Sequence, residues 1–241
     1  MSTSSTTSQQ STSPPSPVES ADPRRMGPRW SQRWRRWRPG VIAVTLMLVP
    51  ALLTVWAQTT TSTIPLAIDN PEDRGTMAVA ELLRHEGVSV SRTAGVSEAL
   101  KASRRGATVA VVNADRLSQE DRQALAQAGG DVVIVGAKGG SNALSGMTGI
   151  SSKDTAAPAS TVLTSRCDDD DARAAQTLAG SQASVSLQGD DDAVGCFPLG
   201  QDRYAYAVDA LPNGAALRVL ADPGLVTNAR LTLEGHAALA V

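Results

Sequence analysis

The chain has 241 residues, with 22 lysines and arginines against 24 acids, a net charge of −2, two cysteines and two histidines. Seven arginines fall in residues 1–40 against Glu19 and Asp22, a net +5 that leaves −7 for residues 41–241. An acidic body argues against a nucleic-acid partner, and two distant histidines, His85 and His236, argue against a zinc site.

Residues 1–40 read as a disordered basic tail. Its first half, MSTSSTTSQQSTSPPSPVES, is too polar to bury the surface that ordering requires. Arg29, Trp30, Arg33, Trp34, Arg35, Arg36, Trp37 and Arg38 then precede Val41–Ala57, an uncharged run of 17 residues. As a helix the run rises roughly 25 Å, near the short limit for crossing a bilayer. Its apolar residues surround the helix instead of forming one stripe. Arginines before it and acids after it (Asp69, Glu72, Asp73) put the N-terminus in the cytoplasm and the larger part outside. Lipid headgroups are the expected partner of the Arg/Trp stretch. Two readings of the run stay open: an uncleaved signal anchor, which is favoured, and cleavage after Ala57.

Residues 58–63 form a linker, and 64–241 are long enough for one domain. Asn70-Pro71-Glu72-Asp73 predicts a helix start, with Asn70 as the cap and Pro71 in the first turn. The helix should run to about Glu86 and stop at Gly87. Val88–Arg92 predicts a short strand and Val96–Ala102 a short helix. Thr108–Val112 is an apolar run, as in a parallel strand covered on both faces. Ser118 with Asp121 resembles a capping box, and Asp131–Gly136 predicts a further buried strand. The alternation predicts a mostly parallel sheet with flanking helices.

Residues 137–166 have no period and read as a loop. A helix is expected over Asp168–Leu178, strands over Ala183–Leu187, Tyr204–Val208 and Ala215–Leu220, and a loop over Asp222–Leu231. Glu234–Val241 predicts an apolar helix that continues, in a longer native chain, towards a second membrane span. Cys167 and Cys196, on the oxidising side of the membrane, predict one disulfide. It should tie down an acid-rich excursion over 168–195, and its loss should leave 70–136 folded.

NPEDRGTMAVAELLRHEGVSV, SEAL, ATVAVVNADRLSQED and DVVIVGA, followed by CDDDDA, GCFPLG and ADPGLVTNARLTLEGHAALAV, resemble an actinobacterial family of membrane proteins, domain of unknown function 4350. The resemblance implies a flavodoxin-like or class I glutamine amidotransferase-like outer domain. It also implies work in a membrane complex linked to a MoxR-type AAA ATPase. His236 stands where the family usually has Asn.

The chemistry of an amidotransferase is not visible. After Asp131–Gly136 come Ala137, Lys138, Gly139 and Gly140, with no cysteine on the turn. No catalytic residue, cofactor or metal is expected. Lys138, Gly139 and Gly140 follow a strand where doubly wound sheets bind ligands. Asp222, Asn228 and Glu234 either line a pocket there or cap the final helix. The expected function is a non-enzymatic, membrane-anchored binding module. The alternatives are an amidotransferase-like enzyme with a non-standard site and a scaffold whose tail recruits the ATPase.

Overall fold

A computed structural model describes residues 37, 39–50, 62–136, 144–153, 156–187 and 192–241. The chain divides into two units, Met1–Thr59 and Thr60–Val241. In the first, α1 (residues 39–50) is helical and exposed along its length. Val41, Ile42, Val44, Leu46, Met47, Leu48 and Val49 all face outward, and Thr45 donates its hydroxyl to the Val41 carbonyl at 2.8 Å. Among the described residues no helix is long and apolar enough to cross a membrane. The rest of the predicted span, 51–57, lies outside them.

In the second unit β2 (Val132–Val135) and β9 (Ala216–Leu220) lie side by side, parallel, with β1 (Val109–Val112) parallel on the outer side of β2. The all-aliphatic β2 is largely buried on both faces, as a central parallel strand is, whereas β9 carries Arg218 and β1 leaves Ala110 and Val112 exposed. Val132, Ile134, Leu217 and Val219 pack with Ala99 of α3 (Val96–Ser103) and with Leu125 and Ala126 of α4 (Gln119–Ala126). Val135 and Leu220 face the other way, onto Phe197, Tyr206, Leu225 and Ala172 and Ala175 of α5 (Asp170–Ala175). Ser118 caps α4 as its residues predict, and its hydroxyl donates to the Asp121 carboxylate at 2.7 Å. Ser118 Oγ accepts from Asp121 N at 3.1 Å.

Beyond β9 the sheet turns antiparallel. β8 (Arg203–Ala210) pairs with β9, with β7 (Val194–Gly200) and with β6 (Ser184–Leu187), and β6 pairs with β3 (Ile150–Lys153). β4 (Ala157–Thr164) and β5 (Thr177–Ser181) make a separate two-stranded sheet. The sheet is therefore mixed; two of its parallel strands, β1 and β2, lie in the alternating stretch, and the third, β9, comes from near the end of the chain.

Four local expectations are corrected. α2 (Met77–His85) does not begin near Pro71. Asn70 does cap a turn, accepting from Glu72 N at 2.9 Å. The chain then folds back on itself: a Cβ on Gly75 would collide with the Asn70 carbonyl. Val88–Arg92 is not a strand. Val88 is 48 % exposed, and among the described residues no strand pairs with it, so nothing holds it extended. Residues 137–166 are not one loop, because β3 and β4 lie within them. Their serines and threonines conceal the strands, since buried Ser151 meets Ser186 of the neighbouring strand at 2.8 Å. The helix expected to reach Leu178 stops at Ala175, where Gln176 takes a positive φ of 59° and β5 begins. β7 also went unseen. Gly195 lies flat against the Tyr204 ring, and Pro198 is tolerated on a strand whose other edge is unpaired in the main sheet.

The predicted disulfide is present. Cys167 and Cys196 are bonded, with their α-carbons 5.4 Å apart. The segment it closes is not an excursion. It supplies Ala172, Ala175, Leu178, Ala179 and Val185 to the buried interior.

Candidate functional site at the carboxyl ends of β2 and β9

In open α/β sheets ligands meet the chain where parallel strands end. Here β2 ends at Gly136, whose amide donates to the Leu220 carbonyl at 2.9 Å. Gly136 has φ of +80°, and a Cβ would press on the Pro223 ring. β9 ends at Leu220 and leads through Ala221 into Asp222. Lys138, Gly139 and Gly140, expected to make a ligand loop, lie outside the described residues.

Asp222 is buried and its carboxylate is fully engaged. One oxygen accepts from Gly224 N, and the other accepts from Gln182 N, both at 2.8 Å. The second oxygen also meets Arg230 Nη1 at 2.9 Å, an ion pair whose side chains are 17 % and 5 % exposed. Arg230 Nη2 donates to the carbonyls of Ala179 and Gly180. A charge held this deeply persists only when paired and hydrogen-bonded. The arrangement therefore fixes the closing segment, 222–239, against the end of β5.

Asn228 sits elsewhere. Its Oδ1 accepts from Ala78 N at 2.9 Å, and its Nδ2 donates to the carbonyls of Asn70 at 3.0 Å and Glu72 at 2.7 Å. It thus caps α2, whose own N-cap residue, Thr76, makes no side-chain capping bond. Glu234 accepts from Thr177 Oγ1 at 2.9 Å. Asp222, Asn228 and Glu234 therefore bind three different parts of the domain. Asp222 caps the short turn Pro223–Val226, and none of the three caps α6 (His236–Leu239).

His236 is 1 % exposed. Its Nε2 accepts from Ala179 N at 3.0 Å, which places the ring proton on Nδ1. Among the described residues Nδ1 has no hydrogen-bond partner. Burial holds this imidazole below its ordinary pKa and the Arg230 guanidinium adds to the effect. The carbonyls of Arg230 and Leu225 and the Asp222 carboxylate act the other way. The role of Arg230 was not foreseen. The signal for it was a single cation among Leu225, Val226, Ala229 and Leu231.

A second polar cluster joins β9 to α5. Arg218 Nε donates to Asp171 at 2.7 Å and Nη1 to Asp131 at 3.3 Å. Beside it the Tyr206 phenol is pushed far above its ordinary pKa, by burial first and then by Asp169 and Asp171. Among the described residues no group of histidines, cysteines and acids is placed to hold a metal ion. The Asp168–Asp171 run is used otherwise: Asp169 caps α5 through Ala172 N at 3.0 Å, and Asp171 holds Arg218.

A concavity lies beside α2. It is an open groove of about 840 Å³ with Ala78, Leu82, Leu231 and Ala237 as its apolar lining and Glu81 and His85 at its edge. Trp37 is helical and exposed. The other membrane-interface residues of the tail (Arg29, Trp30, Arg33, Trp34, Arg35, Arg36 and Arg38) lie outside the described residues.

This architecture defines a mixed α/β domain with one parallel edge and one disulfide. The family model described as "Domain of unknown function (DUF4350)" matches residues 68–241, and the chain belongs to that family. No curated protein matches the chain. Among solved structures, "mmIFT52 N-terminal domain" is similar, with a TM-score of 0.49 and 16 % identity over 68 % of this chain and 86 % of that one.

Proposed function

We propose that this chain is a membrane-anchored, extracytoplasmic binding module, working without catalysis in a membrane complex linked to a MoxR-type AAA ATPase. The observation that carries the reading is a contrast of surfaces. Asp222, Arg230 and Asn228 are engaged by the protein's own backbone, whereas the α2 groove offers apolar surface. Burying apolar surface is the main driving force of protein association. The anchor is supported by the outward-facing aliphatic side chains of α1. An exported domain is supported by the disulfide, a bond that persists in oxidising compartments. The parallel run β1-β2-β9 supports the reading of an amidotransferase-like fold.

The test is site-specific photocrosslinking from Leu82 and from His85 in the native membrane. An adduct to another membrane protein is expected. Absence of any adduct, together with glutamine hydrolysis by the purified chain, would replace this reading with the enzyme alternative. Topology is checked with Thr61→Cys, which should react with a membrane-impermeant thiol reagent in intact cells. Reaction only after lysis would reverse the orientation, and a mature chain starting at Gln58 would show that the anchor is removed.

A further inference from the structure

The closing segment is fastened to β5 by a row of hydrogen bonds. Gly235 N donates to the Thr177 carbonyl at 2.9 Å, and Thr177 Oγ1 donates to Glu234. Ala179 N donates to His236 Nε2, Arg230 donates to the Ala179 and Gly180 carbonyls, and Gln182 N donates to Asp222. The His236 bond is the central one, and its acceptor is a ring nitrogen that can be protonated.

We propose that His236 is an acid-sensitive latch: a second proton on its ring releases the closing segment from β5 while β1, β2 and β9 stay paired. The chemistry is direct. A neutral imidazole has one donor and one acceptor, whereas the charged ring has two donors. Protonated Nε2 would point an N–H at the Ala179 N–H. The buried backbone amide would lose its acceptor.

The charged groups around the ring decide the direction of the switch. From the closing segment Arg230 faces it, and from the end of β9 Asp222 does, already paired with Arg230. From β5 only backbone reaches it. On α5, Asp171 is turned to Arg218 and Asp170 to Arg173. Glu234, two residues before the ring, is bonded to Thr177. Burial and Arg230 together favour the neutral ring, so its pKa in the fastened state lies below the ordinary value of about 6.5. A depressed histidine contributes stability that is complete above about pH 6.5 and is lost as pH falls through the depressed value. The latch is therefore shut at neutral pH and opens on acidification. Leu231 and Ala237 belong to the same segment, so release also removes one wall of the α2 groove.

The test is amide hydrogen exchange of the full chain between pH 5 and 8, expressed as protection factors. Protection at Ala179 and across 222–239 should fall by up to about tenfold per pH unit below about 6.5, with no change at Val132–Val135. His236→Asn keeps a side-chain acceptor without titrating, and should give a flat profile. His85→Asn, at the only other histidine, should keep the wild-type profile. A flat wild-type profile, an unchanged slope in His236→Asn, or equal loss at Val132–Val135 would each overturn the latch. Should His236→Asn not fold, the ring titration of the unsubstituted chain decides by nuclear magnetic resonance. A His236 midpoint below that of exposed His85 supports the latch, and one equal or above it overturns it.

Discussion

β2 is fixed to β9, and the closing segment 222–239 to β5 and the start of α2, by opposite means. β2 carries Val132, Ile134 and Val135, all buried, and its backbone bonds run along β1 and β9. The closing segment carries buried Leu225 and Leu231 too, but its register is set by Asp222, Asn228, Arg230 and His236 bonding to backbone of distant elements and by Glu234 accepting from the Thr177 hydroxyl. Apolar burial is non-directional and tolerates small shifts. Polar clamps fix one geometry, and each buried member becomes costly when its partner goes. A domain assembled this way has one half that resists perturbation and another that responds to it.

The largest test of that contrast is Arg230→Leu. The substitution leaves the Asp222 carboxylate buried with only two amides. Losing one member of a buried pair costs about 3–5 kcal/mol. Urea unfolding of the full chain should show the loss, and exchange should place it first in 222–239 and β5. Adding Asp222→Asn should return part of the stability, because the stranded charge is gone. If the double variant is no better than Arg230→Leu alone, the ion pair is not what holds the segment.

The same contrast explains what the sequence made legible. β1, β2 and α4 were read from local signals: aliphatic runs for the strands, Ser118 and Asp121 for the cap. The disulfide followed from two cysteines and the topology. What escaped had no local signal. β3 (Ile-Ser-Ser-Lys) and β4, rich in alanine, serine and threonine, carry little aliphatic signal and are strands because their partners complete them. The start of α2 is set by Asn228, about 150 positions away. Asn70-Pro71 could not announce that, and a nearer start was the natural expectation. Asp222 and Asn228 were noticed as polar residues beside a strand end, but their partners, Gln182 and Ala78, were invisible without the fold.

The disulfide gives the second test, and the structure reverses one expectation about it. Residues 168–195 supply Leu178 and Val185, both fully buried, so they belong to the interior. Chain entropy for a 29-residue separation gives about 3.5 kcal/mol. Cys167→Ser with Cys196→Ser should lower the unfolding free energy by about that amount. Limited proteolysis should now open 70–136 as well as 168–195. Cleavage confined to 168–195 would restore the view of a local tie.

The smallest expected effect falls on Asn228, and it separates capping from packing. Ala78 is the second residue of α2, so its amide is one of those the helix itself cannot satisfy. Thr76 leaves it to Asn228, which at the same time ties down the carbonyls of Asn70 and Glu72. Asn228→Ala removes all three bonds and exposes those groups to water at a partly open edge, so the loss should be near that of a helix cap, about 1–2 kcal/mol. Asn228→Asp is the sharper change. It keeps an acceptor for Ala78 N, and its charge suits a helix N-terminus. It also sets a carboxylate oxygen against two carbonyls that were accepting from an amide. If capping dominates, Asn228→Asp should be more stable than Asn228→Ala. If the two carbonyl contacts dominate, the order reverses. In both variants the loss of exchange protection should begin in the first turn of α2 and spare Val132–Val135. Uniform loss across the sheet would mean that the closing segment and β2 form one cooperative unit, and the contrast between them would fail.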